Sequence, residues 1–294
     1  MDLKAYLNAN GLSIAQAAKI MNMDRTTVSK IASGDYPNYE DRATHIIRQL
    51  QEEGFTAEPR EGKLYVDDTA MVATSNVTRF KNLCDDLASP DNSLSSSIGM
   101  VLGSVGRGKT HTTLWYVTQK SNVARVQFME GFTLVKLLKE IAFELSGMKP
   151  NNFERCLAVI EEASAIVRRL VIIDEADKMP VRYIEMLRGL NERCRLPFVL
   201  VGEEALKAKI DGVPRLKSRI RKPIVLYQPV DVVDVKTFYK VSVGIDVSVE
   251  VAAKLCKKAN GDFRTVVNDA MALVKIMNAS DIAEVTGDML QKIS

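Results

Sequence analysis

Short apolar runs alternate with longer amphipathic stretches through the middle of the chain. The amphipathic stretches repeat their apolar residues at i, i+3 and i+4, a spacing typical of helices. Parallel strands need a long crossover between them, and the crossovers here are long enough to contain helices. The pattern therefore predicts an α/β fold with a parallel five-stranded sheet and helices on both faces. The five predicted strands are IGMVLG, VARVQFM, LVIID, FVLVG and PIVLY.

The two ends of the chain lack this alternation and show helical patterns only. Between the N-terminal helices and the first strand, residues 56–75 are polar and have no sustained periodicity, and they include Pro59 and Gly62. No strand pattern follows residue 229. We therefore predict four segments: an all-α helix-turn-helix domain over 1–58, a linker over 59–76, an α/β core over 77–228 and an all-α lid over 229–294.

The first predicted strand leads into GSVGRGKT, which matches G-x-x-x-x-G-K-[ST] at every fixed position and opens a helix. In such a loop the glycines let backbone N–H groups and the helix N-terminus face a phosphate. Lys109 would reach the β- and γ-phosphate oxygens, and Thr110 would offer its hydroxyl to Mg²⁺. The predicted nucleotide-binding residues here are Gly103, Ser104, Val105, Gly106, Arg107, Gly108, Lys109, Thr110 and His111.

The third predicted strand ends in two acids, Asp174 and Glu175. Ligands of open α/β sheets bind at the carboxyl edge of the strands, so this pair is expected beside the phosphate loop. Asp174 fits the magnesium side of the site, and Glu175 fits the catalytic base that orients and activates the attacking water. The sequence therefore predicts hydrolysis of ATP, with ATP and Mg²⁺ as cofactors.

Two arginine placements extend this prediction. Arg215 and Arg219 lie four residues apart in VPRLKSRIRKP and would share one face if this segment is helical. A cation at the γ-phosphate is often supplied by a neighbouring subunit, and Arg219 is the preferred candidate for this role, with Arg215 the alternative. The same segment also fits a solvated or DNA-facing basic stretch. Arg264 opens a C-terminal helix in GDFRTV, where it could fold back onto the nucleotide or remain a surface arginine.

The N-terminal stretch LSIAQAAKIMNMDRTTVSKIASG has the layout of a helix-turn-helix. Ser13 and Asp24 can cap its two helices, Asn22 suits the tight turn, and Gly34 follows the second helix. A purely structural or protein-binding hairpin needs the same capping residues, so that alternative stays open. The predicted DNA-binding residues on the second helix are Arg25, Thr26, Thr27, Ser29 and Lys30.

Charge limits how DNA would be bound. The 294-residue chain has a formal net charge of +3, and residues 1–60 contain Lys4, Lys19, Lys30, Arg25, Arg42, Arg48 and Arg60 against a similar number of acids. DNA would therefore be bound by local positively charged patches and not by a positive field over the whole protein, and its affinity would depend strongly on salt. A second DNA surface on the core could involve Arg107, Lys136, Lys139 or residues 207–222.

The remaining composition narrows the class of protein. Four scattered cysteines, Cys84, Cys156, Cys194 and Cys256, form no C-x-x-C pair, so we expect reduced thiols and neither a zinc site nor a disulfide framework. The N-terminus does not have the pattern of a signal or transit peptide, and no apolar run reaches the roughly 18 residues of a membrane span. We therefore expect a cytosolic protein with no membrane partner.

Together these motifs resemble the AAA+ ATPases and, within them, the transposon target-selection ATPases. The resemblance covers essentially the whole chain and is carried by the helix-turn-helix, the phosphate loop, FTLVKLLKEIAFELSG, LVIIDEAD, FVLVG and LKSRI. It implies a P-loop AAA+ core and DNA-stimulated ATP hydrolysis. It also implies a homo-oligomer, either a ring or a helical filament, with ATP bound between subunits. This oligomer would bind double-stranded DNA largely independently of sequence and deliver it to a transposase.

One position departs from the family pattern. Family members commonly place a small polar residue after the fourth strand to orient the attacking water, whereas this chain has Glu203. Glu203 is therefore the sensor candidate. Two other functions remain open: a helicase-loading replication ATPase, and an ATP-gated helix-turn-helix transcription regulator.

Overall fold

The computed structural model of the protein describes residues 2–56, 63–67, 70–89, 98–280, 282 and 284–293. The chain divides into two compact units. The first, called here the helical unit, consists of Met1–Val72, Val232–Lys258 and Thr265–Ser294. The second, the sheet unit, consists of Ala73–Asp231 and Ala259–Arg264. The segment boundaries at residues 58, 76 and 228 stay a prediction.

The helical unit begins with α1 (Leu3–Ala9), α2 (Ile14–Ile20), α3 (Arg25–Ser33) and α4 (Tyr39–Glu52). The predicted caps are confirmed. Ser13 and Gln16 form a reciprocal capping box on α2, and the Asp24 carboxylate accepts from the Thr26 backbone N–H at 2.8 Å. Gly34 ends α3 with a φ of 81°, a left-handed conformation that favours glycine. Apolar side chains of all four helices form one buried cluster, which fixes the orientation of α3 within this group of helices.

The sheet unit contains five parallel strands: β1 (Ile98–Leu102), β2 (Val123–Gln127), β3 (Leu170–Asp174), β4 (Phe198–Gly202) and β5 (Val225–Leu226). Their order is β2-β3-β4-β1-β5, which confirms the predicted parallel five-stranded sheet. The last strand is shorter than PIVLY suggested, because only Val225 and Leu226 pair with β1.

Helices cover both faces of this sheet: α5 (Ser75–Ala88), α6 (Lys109–Gln119), α7 (Leu134–Ser146), α8 (Phe153–Ile166), α9 (Val181–Cys194), α10 (Glu204–Asp211) and α11 (Pro214–Lys217). The side chains of successive strand residues point to opposite faces of the sheet, so they belong to two different apolar clusters. Met100 and Ile173 belong to the cluster with α7, α8 and α9, whereas Val101 and Ile172 belong to the cluster with α5 and α6. Burial of both faces explains the nearly continuous apolar runs.

Helix α5 is the element that sequence reasoning missed. Thr74 caps it, and Phe80, Cys84 and Leu87 recur at helical spacing and pack fully buried against the sheet. Gly99 on β1 lies under this helix, since a Cβ there would be 2.7 Å from Leu87. The cap and the apolar repeat were visible in the sequence, but the polar residues between them concealed the pattern.

The C-terminal part of the chain contains α12 (Val232–Phe238), a π-helical turn (Tyr239–Val243), α13 (Val249–Ala259), α14 (Phe263–Ser280) and α15 (Gly287–Lys292). These helices confirm the all-α character predicted after residue 229. Among the residues that the structure describes, no helix is both long and apolar enough to cross a membrane.

Part of the predicted linker is attached to the helical unit. The Leu64 backbone N–H donates to the Asn278 side chain of α14 at 2.9 Å, and the Asn278 amide donates back to the Leu64 carbonyl at 2.8 Å. Asp67 pairs with Lys4 of α1 at 2.8 Å, and its N–H donates to the Ser242 carbonyl at 2.7 Å. Residues 59–62, 68 and 69 of the predicted linker lie outside the described residues.

Candidate nucleotide site

The phosphate loop joins β1 to the first turn of α6, as the motif predicts. Gly106 and Gly108 have φ angles of 77° and 82°, which L side chains rarely adopt. A Cβ on Gly103 would lie 2.7 Å from the Tyr227 Cβ, so this position also requires glycine. Ser104, Val105 and His111 are exposed around the loop, and Arg107 and Thr110 are half-buried. Backbone N–H groups and the positive end of α6 are thus available to an anion.

Lys109 lies at the start of α6 and turns back over the loop. Its Nζ donates to the carbonyls of Gly103 and Ser104 at 2.5 and 2.8 Å. Partial burial lowers the pKa of Lys109, while the negative charges of nearby carboxylates, Glu203 above all, oppose that change. The ammonium therefore lies between the loop and the carboxylates, where it could bind phosphate oxygens.

Asp174 ends β3 with its side chain only 2% exposed. Its Oδ2 forms an ion pair with Arg125 Nη2 at 2.7 Å, and its Oδ1 accepts from the Glu175 backbone N–H at 3.0 Å. The side chain has further lone pairs, and carboxylate and hydroxyl oxygens are ligands that Mg²⁺ accepts. The oxygen donors of Asp174 and Thr110 therefore fit the predicted metal.

Glu175 follows in a left-handed conformation with φ of 57°, an unusual backbone for a non-glycine residue. One carboxylate oxygen accepts from Gln127 Nε2 at 2.8 Å, and the other forms an ion pair with Lys178. The hydrogen bond from Lys178 holds the pKa of Glu175 below its ordinary value. Glu175 is therefore ionised at neutral pH, as a water-orienting base must be.

Sequence reasoning missed the partners of both acids. Arg125 and Gln127 are two residues apart on β2, so they lie on the same face of that strand. Gln127 is also in register with Asp174 on β3. The alternation of apolar and polar residues in VARVQ indicated that Arg125 and Gln127 share a face. It did not indicate which acid each of them contacts.

The segment between α13 and α14 lies against the phosphate loop within the sheet unit. The Phe263 N–H donates to the Gly106 carbonyl at 2.8 Å, and Arg107 donates to the Gly261 carbonyl. Asp262 occupies the space that a side chain on Gly106 would fill. The positive charge of Arg264 contributes to the lowered pKa of Lys109, so the structure brings this predicted residue to the site.

Glu203 directly follows β4, as the sequence predicts, and its backbone N–H donates to Asp177 Oδ1 at 3.2 Å. Gly202 permits this approach, because a Cβ there would be 2.6 Å from the same oxygen. The Glu203 carboxylate is the strongest charge that raises the pKa of Lys109. Its place in the site is thus beside Lys109, while its sensor role stays a prediction.

Comparison with known protein families identifies two domains in the chain. Residues 93–210 match the family model for an AAA domain, and residues 3–41 match a helix-turn-helix model. The sheet unit contains an AAA domain. The predicted P-loop AAA+ core and the N-terminal helix-turn-helix are thereby confirmed.

Relatives with similar sequences come from phages and a prophage. The chain is 26% identical over 230 residues to ATP-dependent target DNA activator B of Escherichia phage Mu, covering 75% of this chain and 70% of that protein. It is also 26% identical over 237 residues to Mu-like prophage FluMu DNA transposition protein B of Haemophilus influenzae, covering 75% and 77%. These matches confirm the predicted resemblance to transposition ATPases.

Solved structures agree with the fold. Cdc6p from Pyrobaculum aerophilum matches with a TM-score of 0.59 and 15% identity, over 79% of this chain and 71% of that one. The ORC2 protein from Aeropyrum pernix matches with a TM-score of 0.57 and 16% identity, over 80% and 70%. At these identities the likeness shows the fold alone.

The two candidate finger arginines of the AAA domain are placed differently from each other. Helix α11 ends at Lys217, so Arg215 lies within it and Arg219 beyond it, and the expected shared helical face is absent. Arg215 Nε pairs with Glu185 at 2.7 Å, and Arg219 Nη2 pairs with Glu192 at 2.9 Å. Both carboxylates belong to α9, which positions the two arginines beside that helix.

Helix α3 of the helix-turn-helix has a buried side and an outer side. Val28 and Ile31 are buried in the core of the N-terminal helices, at 0% and 1% exposure. Outside them, Arg25 and Lys30 are exposed, and Thr26, Thr27 and Ser29 are half-buried. The α3 surface therefore offers two cations and three hydroxyl side chains, while its DNA contacts stay a prediction.

The Gly106→Ala variant tests the fit between the phosphate loop and residues 259–264. The added Cβ would lie 2.0 Å from Asp262 Oδ1 in a backbone with φ of 77°. We expect nucleotide affinity to fall at least about tenfold, since left-handed strain alone costs about 1–2 kcal/mol. Fluorescence titration with a labelled ATP analogue measures this. Gly189→Ala is the control, because Gly189 lies inside α9 with open space at its Cβ position; unchanged affinity in Gly106→Ala would contradict the geometry.

Proposed function

We propose that the protein is a DNA-binding ATPase of transposition that assembles on target DNA with ATP, hydrolyses the ATP and delivers the DNA to a transposase. The observation that carries this proposal is similarity over 75% of the chain to a protein named ATP-dependent target DNA activator B. The phosphate loop with its acidic pair, and a separate helix-turn-helix, supply the two activities that this function needs.

In ATP hydrolysis, different residues of the candidate nucleotide site would bind the phosphates, bind the metal and activate the water. Lys109 and the loop N–H groups would hold the β- and γ-phosphates, with Arg264 as a second cation. Thr110 and Asp174 would hold Mg²⁺, which when bound neutralises phosphate charge. Glu175 is ionised and would orient the attacking water and accept its proton. Gln127 and Lys178 hold this carboxylate in place.

Assembly would place ATP between subunits. In this arrangement Arg219 of one subunit contacts the γ-phosphate bound by its neighbour, and hydrolysis weakens the contact and releases DNA. DNA would bind through α3 and through further basic patches, with little sequence preference and with stimulation of hydrolysis. The small net charge of +3 makes this binding depend on local contacts and on salt.

The Glu175→Gln variant tests the proposed base. We expect ATP binding and ATP-dependent DNA binding to remain, while turnover falls by about 10²- to 10⁴-fold because the amide cannot accept the proton. Phosphate release measures turnover, and filter binding measures DNA retention. Glu154→Gln is the matched control, because Glu154 is an exposed glutamate in the first turn of α8. Unchanged turnover in Glu175→Gln would refute the role of Glu175.

Electron microscopy on long duplex DNA tests the proposed function itself. We expect rings or filaments with ATP and none with ADP. Lys109→Ala should also form none, because it lacks the phosphate-binding cation. A protein that remains monomeric on DNA in ATP would overturn target selection.

Footprinting separates the alternative functions. Protection spread along the DNA fits a target selector, whereas one protected palindrome fits a transcription regulator. Tight binding of a helicase without stimulation of a transposase would instead indicate a helicase loader.

Mixing inactive variants tests whether an arginine acts between subunits. Arg219→Ala is expected to lower hydrolysis by at least about 10³-fold. Adding Lys109→Ala protein should restore part of the activity, because a mixed interface combines an intact Lys109 with an intact Arg219. Arg215→Ala serves as the comparison; rescue in Arg215→Ala but not in Arg219→Ala would reassign the finger to Arg215.

A further inference from the structure

Arg125 brings a permanent positive charge to the metal side of the candidate nucleotide site. It lies at the middle of β2, on the strand that neighbours β3. Its guanidinium is mostly buried, with 12% of the side chain exposed, and it contacts a carboxylate with 2% exposure. Since arginine does not lose its proton in proteins, Asp174 has a fixed counter-charge.

A second partner holds the same edge of the guanidinium, because Thr113 Oγ1 lies 3.5 Å from Asp174 Oδ2. Arg125 Nε donates to Thr113 Oγ1 at 2.9 Å, and Thr113 Oγ1 donates to the Thr110 carbonyl at 2.8 Å. Arg125 therefore joins Asp174 to the first turn of α6, which contains the predicted metal-binding threonine. Two directed hydrogen bonds from one planar group leave it little freedom to turn away.

The charges around Asp174 favour this pairing over a free metal ion. Arg125 takes Oδ2, and the Glu175 N–H takes one lone pair of Oδ1. Lys109 also lies near enough for the Asp174 charge to raise its pKa. At Asp174 itself, a divalent cation entering without nucleotide would meet the Arg125 guanidinium and a carboxylate whose charge that guanidinium already balances. The carboxylates of Glu203 and Asp177 lie on the Lys109 side of the site.

We propose that Arg125 is a built-in counter-charge that keeps free divalent cations away from Asp174, so that the metal binds only together with the triphosphate. The triphosphate adds negative charge at the phosphate loop, and the metal enters with it. This inference rests on the proposed ATPase function, in which Asp174 lies on the metal side of the nucleotide.

Binding of Mn²⁺ to the full-length protein, followed by electron paramagnetic resonance, tests the inference without any hydrolysis. Without nucleotide, wild type should bind Mn²⁺ weakly, whereas Arg125→Gln should bind at least about tenfold more tightly because it lacks the repelling charge. Arg125→Lys keeps a cation and should behave like wild type. The gain should disappear when Asp174→Asn is added to Arg125→Gln.

Thr113→Val is the matched control, because it removes the hydroxyl that contacts both Arg125 Nε and Asp174 Oδ2 and keeps the guanidinium charge. It should gain no Mn²⁺ affinity, whereas a gain equal to that of Arg125→Gln would overturn the role of charge. A gain in Arg125→Gln that survives Asp174→Asn, or no gain in a folded Arg125→Gln protein, would also overturn it.

Wild type provides a test that does not depend on the folding of any variant. Mn²⁺ should bind at least about tenfold more tightly with a non-hydrolysable ATP analogue than without nucleotide. Equal affinity under the two conditions would overturn the inference. Loss of the proposed ATPase function would appear separately, as absence of phosphate release from wild type with Mg²⁺ and ATP.

Discussion

Parallel strand register is the constraint on which the candidate site depends. Because β1, β2, β3 and β4 run in one direction, the residues that follow them meet at one edge of the sheet. The phosphate loop follows β1, the two acids end β3, and Glu203 follows β4. None of these groups is close to another in sequence, and the sheet alone brings them together. The two apolar cores that hold the sheet are therefore also what fixes the site geometry.

Bringing so many charges to one partly buried edge requires compensation, and the structure supplies it pair by pair. Asp174 has Arg125, Glu175 has Lys178, and Lys109 lies among carboxylates that oppose the effect of burial on its pKa. A buried charge without a partner would destabilise the fold by several kcal/mol. These pairs have two effects: the Lys178 hydrogen bond holds the pKa of Glu175 below its ordinary value, and Arg125 permits the burial of Asp174.

The sequence was sufficient to identify the residues that belong to short contiguous motifs. The phosphate loop, the acidic pair and the helix caps each occupy one short stretch, so spacing alone identified them. Arg125 and Gln127 were missed because their contacts depend on strand pairing, which places β2 beside β3 although residues 128–169 separate the two strands in the chain. The relation between Arg215 and Arg219 also depended on a feature that spacing does not give: they share a face only if the helix includes both, and α11 ends at Lys217. Local sequence patterns thus identify the candidate reacting groups, whereas the side chains that bind them are known only from the tertiary structure.

In the predicted linker, too, tertiary contacts differ from what the local composition indicates. Its polar composition suggested a solvated spacer, yet the Leu64 backbone is bonded twice by Asn278, and Asp67 is bonded to Lys4. A single amide side chain can satisfy both backbone groups of an extended residue, so no apolar repeat is needed to hold such a segment. Helix α14 provides that amide, and its first residues, Phe263 and Arg264, belong to the segment against the phosphate loop. Within the helical unit, the polar segment after the helix-turn-helix is therefore held by backbone hydrogen bonds to one side chain.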